Sequence, residues 1–356
     1  MNITKKNNRR ITIYDIAKEL DLAPSSVSKA LNDMPNISDK IKLLVKSKAK
    51  ELNYKHNLSA SNLRRGSSST IAVIVPKINV AFFSSVIAGM EEACFENNHR
   101  LIICQTDESF IKEVQAVETL IHQNVDCILI SLSHETKSAE HLQEIINNQI
   151  ELIQFDRVNE SVDCHKIVNE NKDAAYNAVK HLIDQGYKRI AFLGGPDHLK
   201  IYMDRKEGYL KAIKEAKLTV PYHYVVKDVL STEAGISAAR ELLNFPEPPD
   251  AFFTVSDYSA LGVLKTARTM GLSVPTDIGI IGFSNESFTD IITPTLSSVD
   301  QNSRKMGKET ANVYFNHLLK QKEKKLESKI KKHVIKCSLI IRDSTSRKKD
   351  LRKSIV

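Results

Sequence analysis

A chain of 356 residues, 42% hydrophobic and 26% charged, is long enough for two or three domains and too apolar for a disordered one. It shows no apolar run of membrane-span length, no apolar stretch after the basic start MNITKKNNRR that would make a signal peptide, and no CxxC among five scattered cysteines. A cytoplasmic protein with reduced thiols and no membrane partner is therefore expected. The net charge of +8 is uneven: residues 1–66 hold 14 Lys and Arg against 6 Asp and Glu, residues 320–356 hold 14 against 4, and the stretch between holds 23 against 33. A basic N-terminal module suited to a polyanion thus precedes an acidic body.

The first predicted elements are two short amphipathic helices within residues 11–32, ITIYDIAKELDLAPSSVSKALN. Ile13, Ile16, Ala17 and Leu20 share one helical face, Asp21 and Leu22 break the pattern, and Val27, Ala30 and Leu31 resume it. Ser25, Ser26, Ser28 and Lys29 take the opposite face of the second helix. The pair fits a helix-turn-helix that lays its second helix in a DNA major groove, or two packed helices of an ordinary bundle; the local charge favours DNA. A third helix is predicted over 39–52, with Ser38 as N-cap and Ile41, Leu44, Val45, Ala49 and Leu52 as its apolar face. The Ser-rich stretch NYKHNLSASNLRRGSSS then reads as a linker.

From Thr70 the pattern becomes strand, helix, strand. Strands are predicted at 70–75, 100–106, 126–132, 151–156 and about 165–170, with helices at 82–98, 108–124 and near 138–148. A second set follows, with helices at 174–186, 204–216, 233–244 and 258–271 and strands at 189–195, 223–229, 251–256 and 277–284. Continuous apolar strands separated by amphipathic helices imply parallel sheets covered on both faces, and two sets imply two doubly wound lobes. A ligand in such a body sits at the carboxyl ends of the strands, in the cleft between lobes. GxSxG, a P-loop, GxGxxG after a strand, HExxH and paired metal ligands are absent, so no enzyme, cofactor or metal is expected.

The motifs TIYDIAKEL, SVSKALN, LNYKHN, FFSSVIAGMEEA, FDRV, HLIDQGYKRIAFLGGP, DRKEGY, DIGIIGF, TPTLSSVDQ and LIIRDST run through nearly the whole chain. On them the sequence resembles the LacI/GalR family of bacterial transcription regulators. The resemblance implies a small all-α helix-turn-helix headpiece followed by an α/β core of two doubly wound parallel-sheet lobes, like periplasmic binding proteins. It places the headpiece at 1–56, a hinge helix and linker at 57–69, the core at 70–346 and a basic tail at 347–356. The N-lobe would take about 70–168 and 298–328, and the C-lobe about 169–297 and 329–346.

Residue by residue, the resemblance implies base contacts from Pro24, Ser25 and Lys29, the last able to donate to guanine. Thr12, Tyr14, Ser26, Ser28, Asn32, Tyr54 and Asn57 match positions that grip phosphates. In the hinge, Leu63 matches a wedge inserted into the minor groove, Ala60 lets two hinge helices approach, and Arg64 adds phosphate charge. Three positions depart from the family: Asp21 stands for the usual turn Gly, Ala23 for a capping Ser or Thr, and His56 for a Pro before the hinge. Phe82, Phe83, Asp156, Arg205, Asp257 and Ser284 match effector-site positions, with Ser284 where sugar-binding members commonly carry aspartate. The implied function is a repressor bound as a homodimer to double-stranded, pseudo-palindromic operator DNA and controlled by a small-molecule effector, a sugar or sugar derivative. No leucine heptad at the C-terminus calls for a tetramer. The alternative is a solute-binding protein for uptake, which the lack of an export signal disfavours.

Overall fold

The computed structural model describes residues 11–54, 67–319 and 330–347, and the chain divides into two units, residues 1–66 and 67–356. In the first unit α1 (Ile13–Leu20), α2 (Pro24–Leu31) and α3 (Asp39–Glu51) close around Ile16, Ala17, Val27, Ala30, Val45 and Ala49. Asp15 turns its carboxylate back to the Thr12 amide (2.8 Å) and hydroxyl (2.7 Å), which fixes the start of α1. Asp21 ends the helix at φ 51°, a left-handed conformation that its short polar side chain tolerates in place of glycine. Leu44, expected in the core, is half exposed, because α3 meets its neighbours through Val45 and Ala49 instead. Ser38 precedes α3 as predicted, without a side-chain cap bond.

The second unit holds two six-stranded sheets. The first is built from β1 (Thr70–Val75), β2 (Arg100–Gln105), β3 (Cys127–Ile130), β4 (Glu151–Phe155) and β5 (His165–Asn169), flanked by α4 (Ala81–Glu96), α5 (Phe110–His122) and α6 (Glu140–Asn147). The second contains β6 (Ile190–Leu193), β7 (Val225–Val226), β8 (Ala251–Thr254), β9 (Gly279–Phe283) and β10 (Ser297–Asp300). Its helices are α7 (Asn171–Asp184), α8 (Lys200–Glu215), α9 (Thr232–Leu243) and α10 (Asp257–Thr269). The chain then returns to the first lobe through α11 (Ser303–Val313) and β11 (Lys332–Ile335), and ends in the second through β12 (Ser338–Ile340).

The sheet orders are β11-β5-β4-β3-β1-β2 and β12-β10-β9-β8-β6-β7. Every pairing is parallel except β10 with β12. Central strands such as Ile71–Val75 and Ala251–Phe253 are fully enclosed because helices cover both faces. Each buried Val or Ile there contributes about 1.5–3 kcal/mol over exposure.

The lobe limits differ from those expected at 298 and 329. Ser297–Val299 pair with β9 of the second sheet, and Lys332–Ile335 with β5 of the first, so the chain crosses between lobes after Asn169, after Asp300 and after Ile335. Short segments such as SSVD and KHVI carry too little apolar pattern to reveal which sheet they join. The strand expected over 223–229 shrinks to Val225–Val226 after a 3₁₀ turn, and Asp228 beyond it is left-handed (φ 59°). No helix among the described residues is long and apolar enough to cross a membrane.

Candidate functional site

Each unit carries one of the surfaces marked out in the sequence. In the first, α2 opens on Pro24, whose fixed φ suits a first helical position, after an Ala23 that offers no side-chain cap. Ser25 and Lys29 stand exposed one helical turn apart, with Pro24 partly covered beside them. Lys42, Lys46 and Lys48 of α3 are paired with Asp39, Asp33 and Glu51, whereas Lys29 has no ion pair among the described residues. Its ammonium is therefore available to an acceptor outside the chain.

Tyr14 is 67% exposed, and Thr12, Ser26 and Asn32 are partly covered. Asn32 already donates to the Ser28 carbonyl at 2.7 Å. Ser28 itself is only 8% exposed, the most covered of the expected phosphate contacts on α2. Tyr54 packs against the three-helix core. Asn57, Ala60, Leu63 and Arg64 lie outside the described residues.

In the second unit a cavity of about 590 Å³ opens between the lobes at the carboxyl ends of their strands. The N-lobe supplies Phe82 and Phe83 from the first turn of α4, Glu108, His134, and Asp156 and Arg157 just beyond β4. The C-lobe supplies Tyr202 and Arg205 from α8, Ser256 and Tyr258 at the head of α10, and Ser284 after β9; Gln301 reaches in from the second crossing. Five of the six expected effector residues thus meet in one place.

Phe82 and Phe83 pack edge to face with centroids 5.1 Å apart. Arg205 is buried with its guanidinium 3.6 Å from the centre of the Phe283 ring, and it donates to the Asn171 side chain (2.9 Å) and the Val255 carbonyl (3.0 Å). These bonds use two of its five N–H groups and engage no carboxylate. Asp156 is buried in a left-handed turn (φ 56°) with the Ser131 hydroxyl at 3.4 Å. Burial pushes its carboxyl above the ordinary value, and the fields of Arg157 and Arg205 oppose the rise.

Arg157 does not pair with Asp156. It donates to Glu108 at 2.7 Å, and Glu108 also accepts the His134 amide at 2.8 Å. Burial alone would raise Glu108, but the charge and hydrogen bond of Arg157 together with His134 outweigh it and hold the carboxyl low. His198 of the C-lobe bonds the His134 carbonyl of the N-lobe at 2.5 Å, bridging the two lobes.

Asp257 is the exception among the expected effector residues. It is fully buried outside the cavity wall and accepts from the Glu286 amide (2.8 Å) and the Ser298 hydroxyl (2.7 Å). Gly282 makes room for it, since a Cβ there would collide with the Asp257 carboxylate. Burial pushes Asp257 up to about 7. The residues that sequence reasoning overlooked are Glu108, His134, Tyr202, Tyr258 and Gln301, together with Arg157 as a wall residue in its own right. Arg157 and Tyr258 adjoin expected positions and Gln301 closes the motif TPTLSSVDQ, whereas nothing local in the sequence marks Glu108.

Residues 179–345 match the sequence profile of the periplasmic binding protein-like domain. Among solved structures, the lac repressor dimer bound to operator and the anti-inducer ONPF superposes with a TM-score of 0.81 at 21% identity, covering 95% of this chain and 99% of that one. The transcriptional repressor CytR of Escherichia coli (strain K12) is 29% identical over 96% of this chain and 98% of its own. Catabolite control protein A of Priestia megaterium is 30% identical over 82% of this chain and 87% of its own. Identity of that extent over most of both chains is what common descent leaves, and the chain belongs to the LacI/GalR family of DNA-binding transcription regulators.

Proposed function

We propose that the protein is a repressor that binds a pseudo-palindromic operator as a homodimer and answers to a sugar or sugar derivative held between its lobes. The cavity carries the effector part of this reading. Its volume is within the range of small-molecule sites, aromatic side chains line its N-lobe wall, and a buried carboxylate on one lobe faces a buried guanidinium on the other. Hydroxyl groups both donate and accept, so a polyol satisfies Asp156 and Arg205 together, with a ring face against Phe82 or Phe83. Ser284 in place of an aspartate removes a charged acceptor, which favours derivatives over simple hexoses.

Binding to both lobes at once favours one arrangement of the cleft, and differential affinity for two arrangements is what a ligand needs to shift operator affinity. Ser25 and Lys29 would read base edges, with Tyr14, Ser26 and the hinge residues Asn57, Ala60, Leu63 and Arg64 meeting the backbone and minor groove. Homodimerisation is supported by the edge strand β2, where Ile78, Ile87 and Ile103 line an open apolar groove of about 340 Å³; Ile103 is half exposed. The uptake reading is not favoured, since a DNA-binding unit precedes the lobes.

The test is a melting-temperature screen of the full chain against neutral sugars, sugar acids and nucleosides. A sugar or sugar acid is expected to raise the melting temperature, by roughly the stabilisation of mass action, and Arg205→Ala to abolish the rise. A response to nucleosides alone, or a sugar response that survives Arg205→Ala, contradicts the reading.

A further inference from the structure

The three crossings between lobes are tied together by one side chain. Asn169, at the end of β5 on the first crossing, donates through Nδ2 to the main-chain carbonyl of Gln301 on the second (2.9 Å) and of Ile335 on the third (3.3 Å). Its own Oδ1 accepts from Gln301 Nε2 at 3.1 Å. Asn169 and Gln301 are both almost wholly buried, where polar groups hold fixed geometry because an unmet bond is costly.

Two cavity residues reach this knot from different elements. The Ser284 hydroxyl donates to Gln301 Oε1 at 2.9 Å. On the other side Arg205 Nε donates to Asn171 Oδ1 (2.9 Å), and Asn171 Nδ2 donates to the Asn169 carbonyl at 3.4 Å. The chain Arg205–Asn171–Asn169–Gln301–Ser284 therefore starts and ends at the cavity wall and passes through the crossings that join the lobes.

We propose that Gln301 and Asn169 are positioning residues that report occupancy of the cavity to the lobe crossings, with Ser284 as the input. A ligand that engages the Ser284 hydroxyl takes it from Gln301 Oε1. The Gln301 amide is then free to turn, and the bracket that Asn169 makes across the second and third crossings loosens. An aspartate at 284 has no proton to donate to Gln301 Oε1, so the hydroxyl here serves a function that a carboxylate cannot. The inference rests on the cavity being the effector site, but its test uses no effector, so the two fail separately.

The test is amide hydrogen exchange of the full chain without added ligand, followed by mass spectrometry. Ser284→Ala is expected to speed exchange about fivefold in peptides covering 164–172, 298–304 and 333–338, the scale of one lost hydrogen bond, with the strands at 190–193 and 251–254 unchanged. Ser284→Gly, which also lacks the hydroxyl and accepts the φ of 116° at this position, must give the same pattern. Adding Ser284→Ala to Gln301→Leu is expected to change nothing beyond Gln301→Leu alone. Wild-type exchange at the crossings in both Ser284 variants overturns the proposal. So does an acceleration confined to residues 282–286, or additive effects in the double variant.

Discussion

Lys29 stands exposed on α2 with no acidic partner among the described residues, while three lysines of α3 are each neutralised by a neighbour. Its ammonium is therefore free to donate to an acceptor outside the chain, the property that a base contact requires. Lys29→Ala is expected to cost about 1–3 kcal/mol on a selected operator and little on random DNA, measured by fluorescence anisotropy at fixed salt. Asp257 shows the opposite fate of a charged residue. It follows an apolar strand at the cleft, a position from which the sequence points it at a ligand. The missing side chain of Gly282 instead opens a pocket for its carboxylate inside the C-lobe. No residue near Asp257 in the chain reveals that space, because it belongs to a neighbouring strand. With its value raised from 3.8 to about 7, the folded protein binds more protons than the unfolded one between those limits. Its contribution to stability is therefore full below about pH 4 and is lost as pH rises through 7. Asp257→Asn, which keeps an acceptor for the Glu286 amide, is expected to flatten the fall in melting temperature between pH 5 and pH 8. An unchanged slope would mean that Asp257 is ionised throughout that range.

At the scale of elements, the helices and central strands were legible because each carries its own apolar period or run. The strands of both lobes from Ile71 to Phe283 follow the order of the apolar segments, although β3, β6, β8 and β9 are shorter than expected and β7 shrinks the most. Sheet membership of the late strands was not legible: it depends on the register of Ser297–Val299 against Ile281–Phe283 and of Lys332–Ile335 against Lys166–Asn169, which no local pattern encodes. Close helix contacts are also invisible until the partners are known. α4 and α11 approach so nearly that a Cβ on Gly307 would meet the Val86 carbonyl, and one on Gly89 the Arg304 carbonyl. Gly307→Ala is expected to destabilise the N-lobe by about 1–3 kcal/mol in urea unfolding, despite its better helix propensity. A gain in stability would show that the two helices separate at no cost.

For the whole molecule, division into a basic DNA-reading unit and a two-lobed body was legible from charge and periodicity, and most of the expected effector residues do converge on one cavity. The wiring behind the cavity was not. Gln301 is distant in sequence from Asn169 and Asn171 and becomes their neighbour only because the chain crosses between lobes three times. That topology joins two lobes around one cavity through a small set of crossings whose hydrogen bonds lead back to the cavity wall. A homodimer on a pseudo-palindromic operator, as proposed above, would read DNA as a symmetric pair. Selection of bound sequences from random duplex DNA by the full-length protein, followed by sequencing, tests it most directly. Enrichment of an inverted repeat with two equivalent half-sites is expected, weakened when Lys29 is replaced by alanine. Enrichment of a single asymmetric site, or no enrichment over the input pool, would contradict it.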